Sequence, residues 1–408
     1  MADLTHSFAH DTTLRTSTSS TWVDITTSVQ ISGTDLTGGN DYIIFASCTA
    51  GGSDASSPNF EYRVVENGVG QLAGAYQRNE PPDNSTLAGQ PFGYMGKVTA
   101  AATPNDYRLQ VQTTGTVRVG NLAMLAFDLT QLGATNYAYD EDTTSYTTVS
   151  SSSPITGASV TVGDGTSDYM VWGYVHAIAD SASTSSVQVW IDDGSTTPTL
   201  ADMEADDVED VFCILVARYY PAVASSTTFT LKIDTDSTTD THWDVDRNQI
   251  FALKLNAFED HFGKYDGGPY GSFTLDTTVV AINQTHTTNT AGARNWQFIG
   301  YATNTVGSGL ARTRYDLNDS GLGVIAGGIV DATDVDYASS STTDRINAHL
   351  MGKKTSVANS TSLSVDMRSQ RELNTGGSNS NSSLAGWSWE FSGGAANTTI
   401  EVPTGPLR

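Results

Sequence analysis

One short phrase recurs at a constant interval. NDYIIFAS begins at Asn40, SDYMVWGY at Ser167 and RNWQFIGY at Arg294, each 127 positions after the one before. Internal repetition constrains architecture more than composition does, because each copy has to build the same supersecondary unit. The match extends downstream. NFEYRVVENG, SVQVWIDDG and RTRYDLNDSG follow in turn, each an alternating run ending in an Asx-Gly type turn: Glu66-Asn67-Gly68, Asp192-Asp193-Gly194, and Asn318-Asp319 with Gly321. Alternation into such a turn is the strongest short-range sign of a β-hairpin.

Further strands fall into register. PFGYMGKVTA, DVFCILVARY and RINAHLMGKK take one place, and YRLQVQTT, FTLKIDTD and TSLSVDMR the next. The inward candidates of the second set are Tyr107, Leu109 and Val111, then Phe229, Leu231 and Ile233, then Leu363, Val365 and Met367. Polar Arg108, Lys232 and Asp366 between them suit a half-buried antiparallel strand. Each repeat closes with an apolar strand in which Phe127 and Leu129 match Leu253 and Leu255, then Trp389 and Phe391. One charged residue separates each pair (Asp128, Lys254, Glu390), so one side of this strand is expected in the core and the other against water or a charged partner. Opening strands are placed at WVDIT near Trp22, YTTVS near Tyr146 and VVAIN near Val279. On this matching the third repeat carries about ten extra residues, assigned to an exposed loop, Arg371 to Gly386, rich in Gly, Ser and Asn.

Composition agrees with strands. Hydrophobic residues are 38% and charged residues 16% of the 408. Ser, Thr, Gly and Asn suit short strands and polar turns better than long helices. The one stretch with a helical look is the acidic ADMEADDVED, Ala201 to Asp210. A chain of this length holds two to four domains. The expected fold is all-β: three tandem antiparallel β-sandwich or jelly-roll domains, 1–139, 140–271 and 272–408. Their limits lie in two aromatic and acidic linkers, Gly133 to Tyr146 and His261 to Phe273, whose rings pack against the flanking domains.

With 45 acidic and 20 basic residues the net charge is −25. Such a chain repels phosphate backbones and anionic membrane surfaces, so no nucleic acid is expected as a partner. No segment approaches the roughly 20 apolar residues of a membrane span, and the first residues lack the pattern of a signal peptide. Synthesis in the cytoplasm and no membrane insertion are the expectation. Cys48 and Cys213, in separate strand-like runs, read as buried free thiols.

Chemistry is sparse. His6, His10, His176, His242, His261, His286 and His349 form no metal-binding or nucleophile-activating pattern, and no phosphate or dinucleotide loop occurs. Asp234, Asp236, Asp240, Asp244 and Asp246 approach the spacing of a calcium loop, but Thr239 and Val245 stand where Gly and Glu are needed, so a solvated acidic loop is the reading. The run Glu204, Asp206, Asp207, Glu209 and Asp210 reads as a solvated face. Sequons at Asn84, Asn359 and Asn397 are expected to be empty. The chain is expected not to be an enzyme, with no catalytic, cofactor-binding or metal residues and no cofactor.

The order of these motifs, from the opening strand through the D-Y-x-x-x-F/W phrase to the final apolar strand, resembles β-modules in virion proteins of tailed phages and viruses: capsid decoration proteins, head fibres, and tail or baseplate components. Such modules resemble the tumour necrosis factor-like jelly roll, which assembles as trimers. The resemblance implies a structural protein of the virion, docked on a capsid or tail lattice beside other virion proteins. Three modules in one chain leave two arrangements open. They can pack about an intramolecular pseudo-threefold axis, since linkers of about 15 residues reach roughly 50 Å, or they can form a linear string. An alternative function is glycan binding by lectin-like modules that recognise a host surface, with Trp190, Trp243 and Trp296 as stacking candidates.

Overall fold

Alternating side chains set the outer sheets, and continuous apolar runs set the inner ones. YRLQVQT buries every second residue, as does the second half of TTFTLKIDT. SDYMVWGYVHAIA is buried along almost its whole length, which requires cover on both faces. The computed structural model describes residues 6–52, 60–79, 91–147, 154–163, 165–179, 186–195, 200–204, 210–235, 243–267, 270–272, 278–288, 293–305, 311–320, 323–334, 345–358, 360–373 and 378–389.

The first module contains β1 (His6–Asp11), β2 (Arg15–Ser17), β3 (Val23–Asp24), β4 (Gln30–Ile31), β5 (Asp41–Gly52), β6 (Phe60–Glu66), β7 (Gly70–Asn79), β8 (Pro91–Thr99), β9 (Tyr107–Thr113) and β10 (Val117–Asp128). The second contains β11 (Tyr137–Asp142), β12 (Ile155–Val162), β13 (Ser167–Ala179), β14 (Ser186–Asp192), β15 (Ala201–Glu204), β16 (Val211–Val223), β17 (Thr227–Thr235) and β18 (Trp243–Lys254). The third contains β19 (His261–Asp266), β20 (Tyr270–Ser272), β21 (Thr278–Thr287), β22 (Arg294–Thr305), β23 (Ala311–Asp319), β24 (Gly323–Asp334), β25 (Arg345–Val357), β26 (Ser362–Leu373) and β27 (Ser378–Ser388).

Module 2 shows the plan most plainly: one layer runs β11-β18-β13-β16 and the other β12-β17-β14-β15. First strand beside last and second beside seventh is the jelly-roll order. Module 1 repeats it as β1-β10-β5-β8 and β3-β9-β6-β7, with β2 and β4 added on β10 and β9. Module 3 repeats it as β19-β27-β22-β25 and β21-β26-β23-β24. The pair Ala326 and Lys353 joins these two into one continuous sheet, as the pair Val211 and Arg78 joins β16 of module 2 to β7 of module 1. The predicted turns hold where they are described, since Gly68 and Gly194 have φ of +81° and +84°, the left-handed region a two-residue turn needs.

Strand register corrects three sequence expectations. Phe127 lies opposite Ile43 and Leu253 opposite Met170; the equivalent of Met170 in the third repeat, Gln297, faces Trp387, not Trp389. The residue between the apolar pair is therefore Ser388, and the insertion shrinks by two. A slip of two keeps every side chain on its own face, so a W-x-W pattern cannot reveal it. Glu390 and Phe391 lie outside the described residues. Next, much of Arg371 to Gly386 is not loop: 371–373 end β26 and 378–386 belong to β27. Finally, the strand that takes in module 2 the place of β3 and β21 is Ile155–Val162, paired with β17, while Tyr146 makes only an isolated bridge to Val245.

The linkers become edge strands: Tyr137–Asp142 pairs with β18 and His261–Asp266 with β27. Ala201–Glu204, in the stretch with a helical look, is strand β15, and 205–209 lie outside the described residues. The sandwich interiors are not insulated either. One apolar cluster joins modules 1 and 2 with Ile299, Tyr301, Met351, Ala385, Trp387 and Trp389 of module 3. A second cluster around Trp296, Phe298, Leu350 and Met367 fills module 3 itself.

A string of separate beads is incompatible with that shared cluster. Small-angle scattering should give a radius of gyration of about 22 Å, the value for one compact body of this length; a clearly larger value with a rod-like distance distribution would contradict the packing.

Candidate functional site at the three-module junction

The inner sheets meet face to face around one axis. Phe45, Trp172 and Ile299 hold the same register place in their modules, opposite Leu125, Phe251 and Ala385 on one side and Met95, Ala217 and Met351 on the other. All of these are buried. Ring centroids of Phe45 and Trp172 are 5.1 Å apart, Trp172 and Phe251 5.6 Å, and Phe127 and Phe251 5.8 Å. The row of the closing strands assigned from sequence to the core, Leu125 with Phe127 and Phe251 with Leu253, is thus the one that meets the neighbouring modules. The side assigned to water or a charged partner turns to the module's own sandwich, where Asp128 is fully buried and, in β27, Leu384 joins the cluster of module 3.

Contacts run round the ring in one sense. The Tyr174 hydroxyl of module 2 donates to the Gly74 carbonyl of module 1, and the Tyr301 hydroxyl of module 3 donates to the Leu200 carbonyl of module 2 at 2.6 Å. Tyr174 and Tyr301 are repeat equivalents, so these are one interaction made twice. Ser47 holds that place in module 1, too short to reach. The third seam closes by stacking, with the His6 ring parallel to Trp389 at 3.8 Å. Linker rings pack across seams as well: Tyr139 lies under the Lys97 ammonium at 5.9 Å, and Arg218 sits between Tyr220 and Tyr265 at 4.6 and 4.2 Å.

The repeat equivalents differ in size, and the differences interlock. Gly93, Leu215 and His349 occupy one register place. A Cβ on Gly93 would lie 2.8 Å from Leu215 Cβ, so glycine makes room for its counterpart. His349 accepts at Nε2 from the Trp172 indole N–H, 3.0 Å away, and stacks 6.2 Å from Phe45. That imidazole therefore touches both other modules. Burial without a compensating charge holds its pKa near 3. Beside it Ser47, Cys48, Phe92, Gly93, Cys213 and Asn347 help line a cavity of about 20 Å³. Cys48 and Cys213 are buried free thiols, and burial pushes both up, Cys213 to about 12. They are unreactive at neutral pH.

The other sequence candidates scatter. His176 pairs with Asp246 at 2.5 Å and His286 with Asp260 at 2.7 Å. His261 is 3.6 Å from Asp168, which accepts from the Tyr219 hydroxyl at 2.7 Å, and burial lowers its pKa despite that carboxylate. His10 is likewise lowered by burial. Asp234 accepts from the Thr235 N–H and Asp244 lies on β18, whereas Asp236, Asp240, His242 and sequon residues Asn84, Asn359 and Asn397 lie outside the described residues. Among the described residues no three His, Cys, Asp or Glu side chains are placed to hold a metal ion. Trp243 and Trp296 are fully buried in sandwich interiors, so of the three stacking candidates only Trp190 reaches the surface, half-buried on β14. His349 and Gly93 were beyond sequence reasoning as site residues, because their roles exist only when three distant strands meet.

No protein-family model matches the chain, and no curated protein sequence matches it. Among solved structures, a peptide-N(4)-(N-acetyl-β-D-glucosaminyl)asparagine amidase is 8% identical with a TM-score of 0.33, covering 64% of this chain and 98% of that one. A chain of Sulfolobus turreted icosahedral virus is 8% identical with a TM-score of 0.21, covering 86% and 80%. A chain of infectious bursal disease virus is 7% identical with a TM-score of 0.25, covering 95% and 82%. The amidase among these neighbours corrects the expectation that the chain is not an enzyme: absence of a catalytic motif in an all-β chain excludes nothing. These likenesses concern fold alone and carry no activity over.

Two outcomes follow from the junction. Gly93→Ala should destabilise the whole chain by about 1–3 kcal/mol through overpacking, and Phe45→Ala by about 3–5 kcal/mol, each as one cooperative loss in calorimetry instead of the melting of one module. His349 gives the second. Its folded pKa lies below the unfolded value of 6.5, so only the unfolded chain binds its proton as pH falls. The stability is intact above about pH 6.5 and declines by about 1.4 kcal/mol per pH unit toward pH 3. Urea denaturation between pH 7.5 and 4.5 should show a slope that flattens by about this amount in His349→Leu.

Proposed function

We propose that the chain is a structural protein of a virus particle, docked on a capsid or tail lattice as a covalently fused pseudo-trimer. Tailed viruses are the class to which the sequence resemblance points. The modules, drawn as 1–139, 140–271 and 272–408 from sequence, are taken to begin at the edge strands Tyr137 and His261, which pair with the sheets that follow them. The observation that carries the reading is the closed ring of three jelly rolls whose axis is filled by apolar side chains from every module. Such a body has its self-assembly surface already consumed and presents its outer sheets and loops to other chains. Fusion supports the same role, since tethering supplies the effective concentration a separate trimer would need. A net charge of −25 argues against a nucleic-acid partner, and no helix of the described residues is long and apolar enough to cross a membrane.

Trp190 favours a second reading, glycan binding, because it stands half-exposed between Gln188 and Asp192 on the outer sheet of module 2. The two roles separate experimentally. Antibody raised against the chain should label purified particles at regular positions under the electron microscope; labelling of soluble lysate alone would reject the particle role. Glycan-array binding lost in Trp190→Ala would support the second reading instead.

A further inference from the structure

We infer that the cavity on the junction axis is a binding site for a single water molecule, held by the Nδ1–H of His349. The first step is the tautomer. An indole nitrogen only donates, so the 3.0 Å contact from Trp172 makes Nε2 of His349 the acceptor. A ring kept neutral by burial must then carry its hydrogen on Nδ1. That Nδ1 is buried and has no hydrogen-bond partner among the described residues. A buried donor left unpaired is costly, and native interiors satisfy such groups with protein or ordered water.

The surroundings select the ligand. The cavity of about 20 Å³ has room for one water and little more. Its lining mixes apolar Phe92, Ile214 and Leu215 with polar Ser47 and Asn347, both buried, which offer the further hydrogen bonds a trapped water needs. A metal ion is disfavoured although Cys48, Cys213 and His349 share the lining. Burial raises both thiols, and no three such side chains of the described residues converge on one point. Among the described residues, the titratable groups that share this lining with the imidazole are those two thiols, which burial keeps neutral.

The site draws its walls from all three modules: Ser47 and Gly93 from the first, Cys213 and Leu215 from the second, Asn347 and His349 from the third. It exists only in the closed ring. Nitrogen-15 spectroscopy of the histidine-labelled full chain should show His349 as the Nδ1–H tautomer. A high-resolution crystal structure should show one solvent peak about 2.7–3.2 Å from Nδ1, missing in His349→Leu. An Nε2–H tautomer, or a dry cavity in the native protein, would overturn the assignment. So would a solvent peak that persists unchanged in His349→Leu, because the water would then belong to Ser47 and Asn347. If the variant does not fold, the native tautomer and solvent peak still decide the matter.

Discussion

An antiparallel sheet with its own sandwich on one face and foreign sheets on the other has no side on which to place a charge. That double burial of β5, β13 and β22 with their neighbours governs the rest of the structure. It explains why SDYMVWGYVHAIA is apolar at successive positions, and why Lys97 and Lys254 stand toward strand ends. The outer sheets escape the constraint and keep a simple alternation, with Arg63, Gln110 and Lys232 outward. Each jelly roll therefore has one ordinary face and one that is stable only in company.

Threefold repetition of the backbone is combined with a side-chain set that is not repeated. At one level of the axis stand Phe45, Trp172 and Ile299; at the next, Gly93, Leu215 and His349. Large residues from one module enter space left by small ones of another, as close packing of an interior demands. A homotrimer of one such module would have to place three copies of the same residue around the axis. Three leucines at the place of Leu215 would lack the glycine that now makes room for one. Divergence within a single chain removes that conflict and gives each module its own position in the ring.

How much of this could be read from sequence depended on how local each cause was. Hairpin turns at Gly68 and Gly194 and the inward rows Tyr107-Leu109-Val111 and Phe229-Leu231-Ile233 rest on nearest neighbours and a two-residue period, and both were legible. The place of Trp387 was not, because a two-residue slip leaves the pattern unchanged and only hydrogen-bond partners across β22 reveal it. Treating one side of the closing strand as solvent-facing overlooked how many consecutive apolar residues LAMLAFDL contains, a run that signals cover on both faces. The His349 environment had no sequence signal at all: an isolated histidine between alanine and leucine acquires its character from Trp172 and Phe45, more than a hundred positions away.

The ring has two kinds of seam. Modules 1 and 2, and modules 2 and 3, are joined by peptide as well as by packing, whereas module 3 meets module 1 through contacts such as His6 on Trp389. A pull applied between those two residues bears on the one seam without a covalent bridge. The ring would then unroll like a clasped bracelet, keeping its three links intact after the clasp has parted. Anchored by that seam on opposite sides, the molecule would be weak in tension; anchored through a single module, it would carry no load across the clasp at all.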